Sequence, residues 1–447
     1  MTAELDTAPL EAHAAALVEA AKKAGADAAD AVVVKSASLG VEVRNGKVEE
    51  SQRSENDDYA LRVFVGKRVA SVSTNTFDDI AALAERAVAM ARVTPEDPYA
   101  TLADAAALAR DFPDLDLVDT ANPDSAALTE MALAAEAAGL AVKGVTKSTG
   151  ASASAGYSGL VLATSAGFTG SYLVSRYSTS MTAIAGEGTA MERDYEYDVV
   201  THLGDLKDPA TIGRMAGERT VRRLNPTKLA TQKCAVVYEP RVATSLVRHF
   251  TSAINGQSIA RKTSFLREKL GEAIFAKGIR IIDDPLKRRG LSSRPFDGEG
   301  CAAAAMDLIT DGVLQTWLMD TATAHELGLT ANGRASRGGS GPTPGSTNLT
   351  LMPGEESPEA LMKSLGSGIF VTDLIGQGVN GVTGDYSRGA AGFRFENGEF
   401  VEPVSEITIA GNLVDMFAKM VPANDPQDRH GVVVPTIAIE GLTIAGR

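Results

Sequence analysis

Five histidines and two cysteines are the residues of this 447-residue chain best suited to hold a metal, and their spacing argues against a local cluster. His13, His202, Cys234, His249, Cys301, His325 and His430 all lie more than four positions apart, so no two can share adjacent turns of one helix. His325-Glu326 opens like a zinc-protease helix, in which a second histidine one turn later completes the metal pair and the glutamate acts as general base. The positions that would carry that histidine hold Leu329 and Thr330. The pattern fails, and His325 reads as a helix-end histidine before Gly328. Gly376-Gln377-Gly378-Val379-Asn380-Gly381 has the spacing of a dinucleotide fingerprint after the apolar run 369–375. A fingerprint must open an amphipathic helix, and the residues that follow, Thr383 to Gly389, do not form one. The segment is expected to be a glycine-rich strand connection that another backbone approaches closely. No GxSxG elbow and no GxxxxGK loop occur, so serine-hydrolase and P-loop chemistry have no anchor.

A helix over 241–254 would place Val242, Leu246, His249, Phe250 and Ala253 on one face and Arg241, Ser245, Arg248 and Ser252 on the other. Nothing in that array binds a metal well, and His249 reads as a core-edge histidine with a backbone partner.

The elements that must position these residues follow from periodicity. Leu10, Ala14, Leu17, Val18 and Ala21 before Gly25 predict a helix over 9–24. Alternating runs at 31–35, 40–44, 59–65 and 68–73, with turns at Asn45-Gly46 and Gly66-Lys67, predict strands, and a helix fits 77–92. The order then recurs. Asn122-Pro123-Asp124 reads as cap, first helical proline and first-turn acid of a helix to about Ala138, followed by strands within 142–190 and a helix over 209–223. Two copies of helix, antiparallel strands, helix are therefore expected, joined by a proline-rich, acidic surface crossover at 93–121. Asn225-Pro226 marks a boundary. Beyond it lie a strand at 234–238, the helix at 241–254, a helix capped by Ser357-Pro358-Glu359 that ends near Gly366, and many short alternating runs in the glycine-rich segment 328–447. The expected class is α+β. It combines an N-terminal α/β domain over 1–225, with antiparallel strands, flanking helices and an internal pseudo-repeat, and a strand-rich C-terminal domain over 226–447.

A content of 44% apolar and 22% charged residues fits a globular protein and excludes disorder, collagen-like repeats and disulfide scaffolds. The net charge is −14, unevenly spread: residues 1–200 carry 30 acids against 16 bases, whereas 201–300 carry 19 bases against 10 acids. An acidic chain repels a phosphate backbone, which disfavours nucleic acid as a direct partner. The basic island is expected chiefly to meet the chain's own acidic half, with an acidic protein or a peptide carboxylate as open alternatives. Two cysteines, and an N-terminus without the basic start and apolar run of a secretory signal, point to the cytoplasm. The longest charge-free stretch, Ser148 to Ser175, is diluted with Gly, Ser and Thr and reads as strands, not as a membrane span.

Ordered motifs over nearly the whole chain resemble one family. RNGKVEESQRSEN (44–56), ARKTSFL (260–266), STNLTLMPG (346–354), GIFVTDLIGQGVNGVTGDYSRGAAG (368–392), PVSEITIAGNLV (403–414) and PTIAIEGLTIAG (435–446) are similar to the TldD/PmbA family, especially its PmbA (TldE) branch. The resemblance implies that the TldD branch is a zinc metalloprotease with an HExxxH helix and a later cysteine ligand, and that the TldE branch is its heterodimer partner without that motif. On the shared ARKTS spacing the motif would fall on 247–252. Val247 and Ser252 then stand in place of the histidines and Arg248 in place of the glutamate, and 424–434 holds no cysteine. These three are degenerate equivalents of a zinc motif, and Arg248 would set a positive charge against the cation. The resemblance thus implies no catalytic residue, no metal and no cofactor in this chain, with zinc in a TldD-like partner. It further implies a two-domain fold, and a chain inactive alone but active within a TldD–TldE metalloprotease acting on unfolded or small peptides, including modified peptide-antibiotic precursors and gyrase-linked antitoxins. An extended substrate could pair with its strands, since main-chain pairing accepts almost any sequence. Two alternatives stand beside this reading: an autonomous metallopeptidase with non-standard ligands, and a DNA gyrase-modulating binding protein that uses the basic island.

Overall fold

The structure, a computed structural model, describes residues 6–338, 341–428 and 431–446. The first half is built on one six-stranded antiparallel sheet. Its strands are β1 (Ala28–Arg44), β2 (Lys47–Val65), β3 (Arg68–Thr74), β4 (Val145–Thr164), β5 (Thr169–Ala185) and β6 (Glu192–Val200), in the order β3-β2-β1-β4-β5-β6. The runs expected as separate strands at 31–35 and 40–44 form one strand, because Ser36 to Leu39 between them pair with both β2 and β4. Helices α1 (Ala8–Lys23) and α2 (Ile80–Val93) bracket the first three strands, and α3 (Ser125–Leu140) and α4 (Pro209–Arg222) bracket the next three. The two copies meet at the antiparallel β1–β4 pair, so the sheet order is symmetric about it.

Side chains alternate between the faces of a strand, and this sorts the packing. Ala29, Ala31 and Val33 of β1 pack under α1 and α2, while Val41 and Val43 on the same face pack near α3. Val32, Leu160 and Leu162 on the opposite face meet Phe296 from the second half. Helices α3 and α4 approach as closely as backbone permits: a Cβ on Gly213 would stand 1.8 Å from the Ala135 carbonyl oxygen. Asp124, not Asn122, caps α3, accepting from the Ala127 N–H at 2.8 Å, so Pro123 precedes the cap. The crossover 93–121 is irregular but not a loose surface loop. It buries Leu115 and Leu117 and is pinned to β5 where the Ser175 N–H donates to the Leu117 carbonyl at 3.0 Å.

The second half contains β7 (Gln232–Tyr238), α5 (Pro240–Ala253), α6 (Gly256–Ala260), β8 (Ile281–Asp284), β9 (Met306–Thr310), β10 (Val313–Leu314) and α7 (Thr321–Leu327). It continues with β11 (Ala335–Ser336), β12 (Thr343–Pro344), β13 (Asn348–Leu351), α8 (Pro358–Leu365), β14 (Ser367–Ile375), β15 (Asp385–Glu396), β16 (Glu399–Asn412), α9 (Leu413–Ala418), β17 (Val421–Pro422), β18 (Gln427–Asp428), β19 (Val432–Val434) and β20 (Ile437–Ala445). One sheet runs β10-β9-β8-β13-β19-β18 and another β16-β15-β14-β7-β20-β17. Because β16 also pairs with β20, strands β7, β14, β15, β16 and β20 close into a barrel. Helix α5 shares one core with the barrel and the other sheet, through Val236, Leu246, Phe250, Ile309, Phe417 and Ile439.

The basic island meets the chain's own acids. Arg288 and Arg289 pair with Asp116, Arg219 with Glu196, and Arg223 and Arg241 both with Asp194. The charge-free stretch lies in β4 and β5, and among the described residues no helix is long and apolar enough to cross a membrane.

Candidate functional site

Helix α5 follows β7 directly and is strongly amphipathic, with Ala243, Leu246, Val247, Phe250, Thr251 and Ala253 buried. Val247 is 1% exposed and belongs to the core, whereas Arg248 and Ser252, one turn apart, face outward. The three positions singled out by spacing therefore divide between the core and the surface, with Arg248 and Ser252 sharing the outer face. A zinc ion does not fit here: the valine has no donor atom, the arginine is a cation, and one serine hydroxyl remains.

His249 lies beside them, half-buried, its ring meeting the edge of Tyr386 at 6.2 Å between centroids. It is the core-edge histidine expected, but without the partner expected, because its buried Nε2 has none. Burial, and then the charge of Arg388, hold its pKa at about 4, so it is neutral near pH 7.

Three strand residues complete the cluster. Tyr238 is the last residue of β7, and Tyr386 and Arg388 stand two apart near the start of β15, which puts both on its buried face. The charge of Arg388 acts on Tyr238, Tyr386 and His249 alike. Burial pushes the Tyr386 hydroxyl up to about 12 and Tyr238 well above its ordinary value, so both phenols stay protonated. The two hydroxyls lie close enough to act on each other, and among the described residues neither has a well-formed hydrogen bond to any other group. Arg388 is 9% exposed and donates only to the Ile375 and Leu374 carbonyls, each at a long 3.4 Å, with no carboxylate partner among the described residues. Those carbonyls end β14, so the guanidinium sits at the barrel rim.

The glycine-rich connection crosses this rim as expected for a close backbone approach. A Cβ on Gly378 would stand 1.7 Å from the Ser387 carbonyl oxygen, and the Ser387 N–H donates to the Gly378 carbonyl at 2.6 Å. No helix follows, so the fingerprint spacing is coincidental.

The other residues of chemical interest stay dispersed. His325 and Glu326 are exposed at the end of α7, before Gly328 with φ +67°. His13 stacks on Phe77, His202 meets Asp116 at 3.3 Å, and burial pushes the Cys234 thiol up to about 11. His430 lies outside the described residues. Counting only histidines and cysteines missed one grouping: buried Asp297, Glu299 and Cys301, whose ligand atoms lie within 4.8 Å of one another. The Asp297 carboxylate already accepts the N–H groups of Glu299, Cys301 and Ala335, and Glu299 accepts from the Thr321 N–H and hydroxyl. Arg294 lies close enough to act on Asp297, and Glu299 Oε1 and Arg294 Nε and Nη2 are buried without a hydrogen-bond partner among the described residues. Where the first half meets the barrel, a cavity of about 550 Å³ is lined by Asp194, Arg219, Arg223, Arg241 and Phe393, and there the Arg222 guanidinium lies 5.0 Å over the Phe393 ring.

Three segments match domains of one family: PmbA/TldA metallopeptidase domain 1 over 29–91, the central domain over 119–224 and the C-terminal domain over 231–446. The chain is 39% identical over 427 residues to Metalloprotease PmbA of Escherichia coli O157:H7, covering 94% of this chain and 93% of that protein. It is 38% identical over 434 residues to the Metalloprotease PmbA homolog of Haemophilus influenzae, covering 96% and 94%. A crystal structure from Bacteroides thetaiotaomicron, named for modulation of DNA gyrase, superposes with a TM-score of 0.91 at 28% identity, over 99% of this chain and 100% of that one. TldE of Thermococcus kodakarensis shares the fold, with a TM-score of 0.85 at 19% identity over 97% and 100%. A symmetric α/β sheet joined to a strand-rich barrel is thus a metallopeptidase-family architecture. The chain belongs to the PmbA/TldD family and, within it, to the PmbA branch.

Proposed function

We propose that this chain is a non-catalytic, TldE-like subunit of a two-component metalloprotease that cleaves unfolded or small peptides in the cytoplasm, the zinc being held by a TldD-like partner. The observation that carries the proposal is helix α5. It turns Val247 into the core and Arg248 and Ser252 to solvent, where the resemblance would have put two histidines and a glutamate. The chain's own contribution is then binding and orientation. Lys47 to Asp58 of β2 pair with β1 alone, because β3 covers only Tyr59 to Val65, and the open edge offers main-chain donors and acceptors to an extended segment.

Elemental analysis, size-exclusion chromatography and peptide-release assays on the chain, on a TldD-like protein of the same organism and on their mixture test this. The expected result is no stoichiometric zinc and no cleavage by the chain alone, with co-elution and cleavage in the mixture. About one tightly held zinc per chain together with cleavage by the chain alone would establish instead the autonomous metallopeptidase that the relatives' names suggest. A TldD-like protein equally active alone that never co-elutes would remove the partner.

A further inference from the structure

Arg388 is a buried cation with no carboxylate partner among the described residues, and around it His249 Nε2 lacks a partner while the Tyr238 and Tyr386 hydroxyls have only each other within reach. Burying a polar group without a hydrogen bond is unfavourable, and burying an unpaired charge is more so. The four side chains come from three separate elements, β7, β15 and α5, so no single local conformation accounts for the arrangement. Water could satisfy the hydrogen bonds but not the charge. A metal ion is excluded by the guanidinium, and a phosphate dianion would bring more negative charge than one arginine balances. A single carboxylate matches on every count: one negative charge for Arg388 and acceptor oxygens for the phenol donors.

We infer that the barrel rim of this chain is a carboxylate-binding site, with Arg388 as counter-ion, the Tyr238 and Tyr386 hydroxyls as donors, and His249 as a further donor in its Nε2–H tautomer. Ile375 and Val382, on the strand end and loop that cross the rim, are 63% and 54% exposed and offer apolar contact to the chain that carries the acid. The carboxylate belongs to a peptide, as its C-terminus or as an Asp or Glu side chain. That part rests on the proposed peptide-processing role, and the ligand chemistry does not.

Isothermal titration calorimetry on the full chain at pH 7.5 tests the site with three probes: acetyl-tetra-alanine as free acid, the same peptide as amide, and an amide with one Ala replaced by Glu. The free acid is expected to bind at least tenfold more tightly than the plain amide. Tight binding of the Glu amide would assign the site to acidic side chains, and its failure would assign it to the C-terminus. R388M is expected to abolish the discrimination, and Y386F, which keeps the ring, to reduce it at least threefold. If circular dichroism shows that R388M does not fold, Y386F decides. Equal binding of acid and amide by the wild type, or discrimination that survives these substitutions, overturns the inference. Co-elution and cleavage with a TldD-like protein are scored separately. A chain that activates its partner without discriminating acids loses the pocket only, and one that discriminates without engaging a partner loses the subunit role only.

Discussion

Arg334 and Arg388 are both buried in the strand-rich half, and their surroundings are opposite. Arg334 is fully buried and its donors are all engaged: Nε bonds the Asp283 carboxylate, Nη1 the Asn332 and Gly333 carbonyls, and Nη2 the Asp283 and Ala304 carbonyls. Asp283 is satisfied in turn by the Thr347 N–H at 2.6 Å and hydroxyl at 3.0 Å. This closed shell pins β8 to the segment entering β11. Arg388 has two long bonds to carbonyls and no carboxylate among the described residues, beside two phenols that have only each other within reach and a histidine whose Nε2 has no partner. Burial of an arginine therefore does not by itself mark a site. A complete shell marks a structural pin, whereas an incomplete one leaves a buried charge and polar atoms unsatisfied and needs a separate account.

Stability measurements can break this comparison. Asp283→Asn leaves Arg334 buried without its counter-charge and is expected to cost about 3–5 kcal/mol in chemical denaturation. Arg388→Met removes a charge that has no partner, and is expected to leave stability within about 1 kcal/mol of wild type or to raise it. If both variants lose stability equally, Arg388 is a structural pin too and the contrast is wrong.

His249 sharpens the comparison through pH. Its folded pKa of about 4 lies below the ordinary 6.5, so between these values the unfolded chain binds the proton more readily. Its contribution is full above about pH 6.5 and is lost as pH falls towards 4. After allowance for partial exposure, that loss is on the order of 1 kcal/mol. Denaturation of wild type and His249→Gln at pH 7.5 and pH 4.5 should show a smaller acid-dependent loss in the variant. Identical losses would mean that His249 is not neutral in the fold.

Tyr386→Phe deletes a hydroxyl that has only the Tyr238 hydroxyl within reach, so its stability should match wild type within about 1 kcal/mol. A larger loss would show that the Tyr238–Tyr386 contact is a strong hydrogen bond. The smallest effect is expected at α7. His325→Ala and Glu326→Ala, both exposed, should change stability by less than about 0.5 kcal/mol and leave cleavage by a reconstituted complex within a few-fold. A hundredfold loss with the fold intact would show that half a zinc motif is a working site.

Much of the fold was legible where burial is periodic. Helices α1, α4, α5 and α8 begin and end within a residue of the apolar pattern, and Ser357 caps α8 through the Ala360 N–H at 3.2 Å. The lengths of β1 and β2 were not legible. Residues 47–56 are exposed on both faces and carry no alternation, and the ladder with β1 alone makes them a strand. In the site, spacing from a shared motif located Val247, Arg248 and Ser252. The outward and inward turns of those side chains, and the missing partner of His249, came from packing.

The sequence by itself determined the class of fold, the duplicated order of the first half, the failure of the His325 motif and the family, because each rests on local periodicity or on ordered runs of residue types. Only the tertiary structure decided that Tyr238, Tyr386, Arg388 and His249 share one buried rim. Their meeting depends on β16 closing onto β20 and on α5 folding back against the barrel. Whether a charge is paired is likewise a property of contacts between distant segments: Arg334 and Arg388 are the same residue type, and only the neighbours that folding brings to each make one closed and the other open.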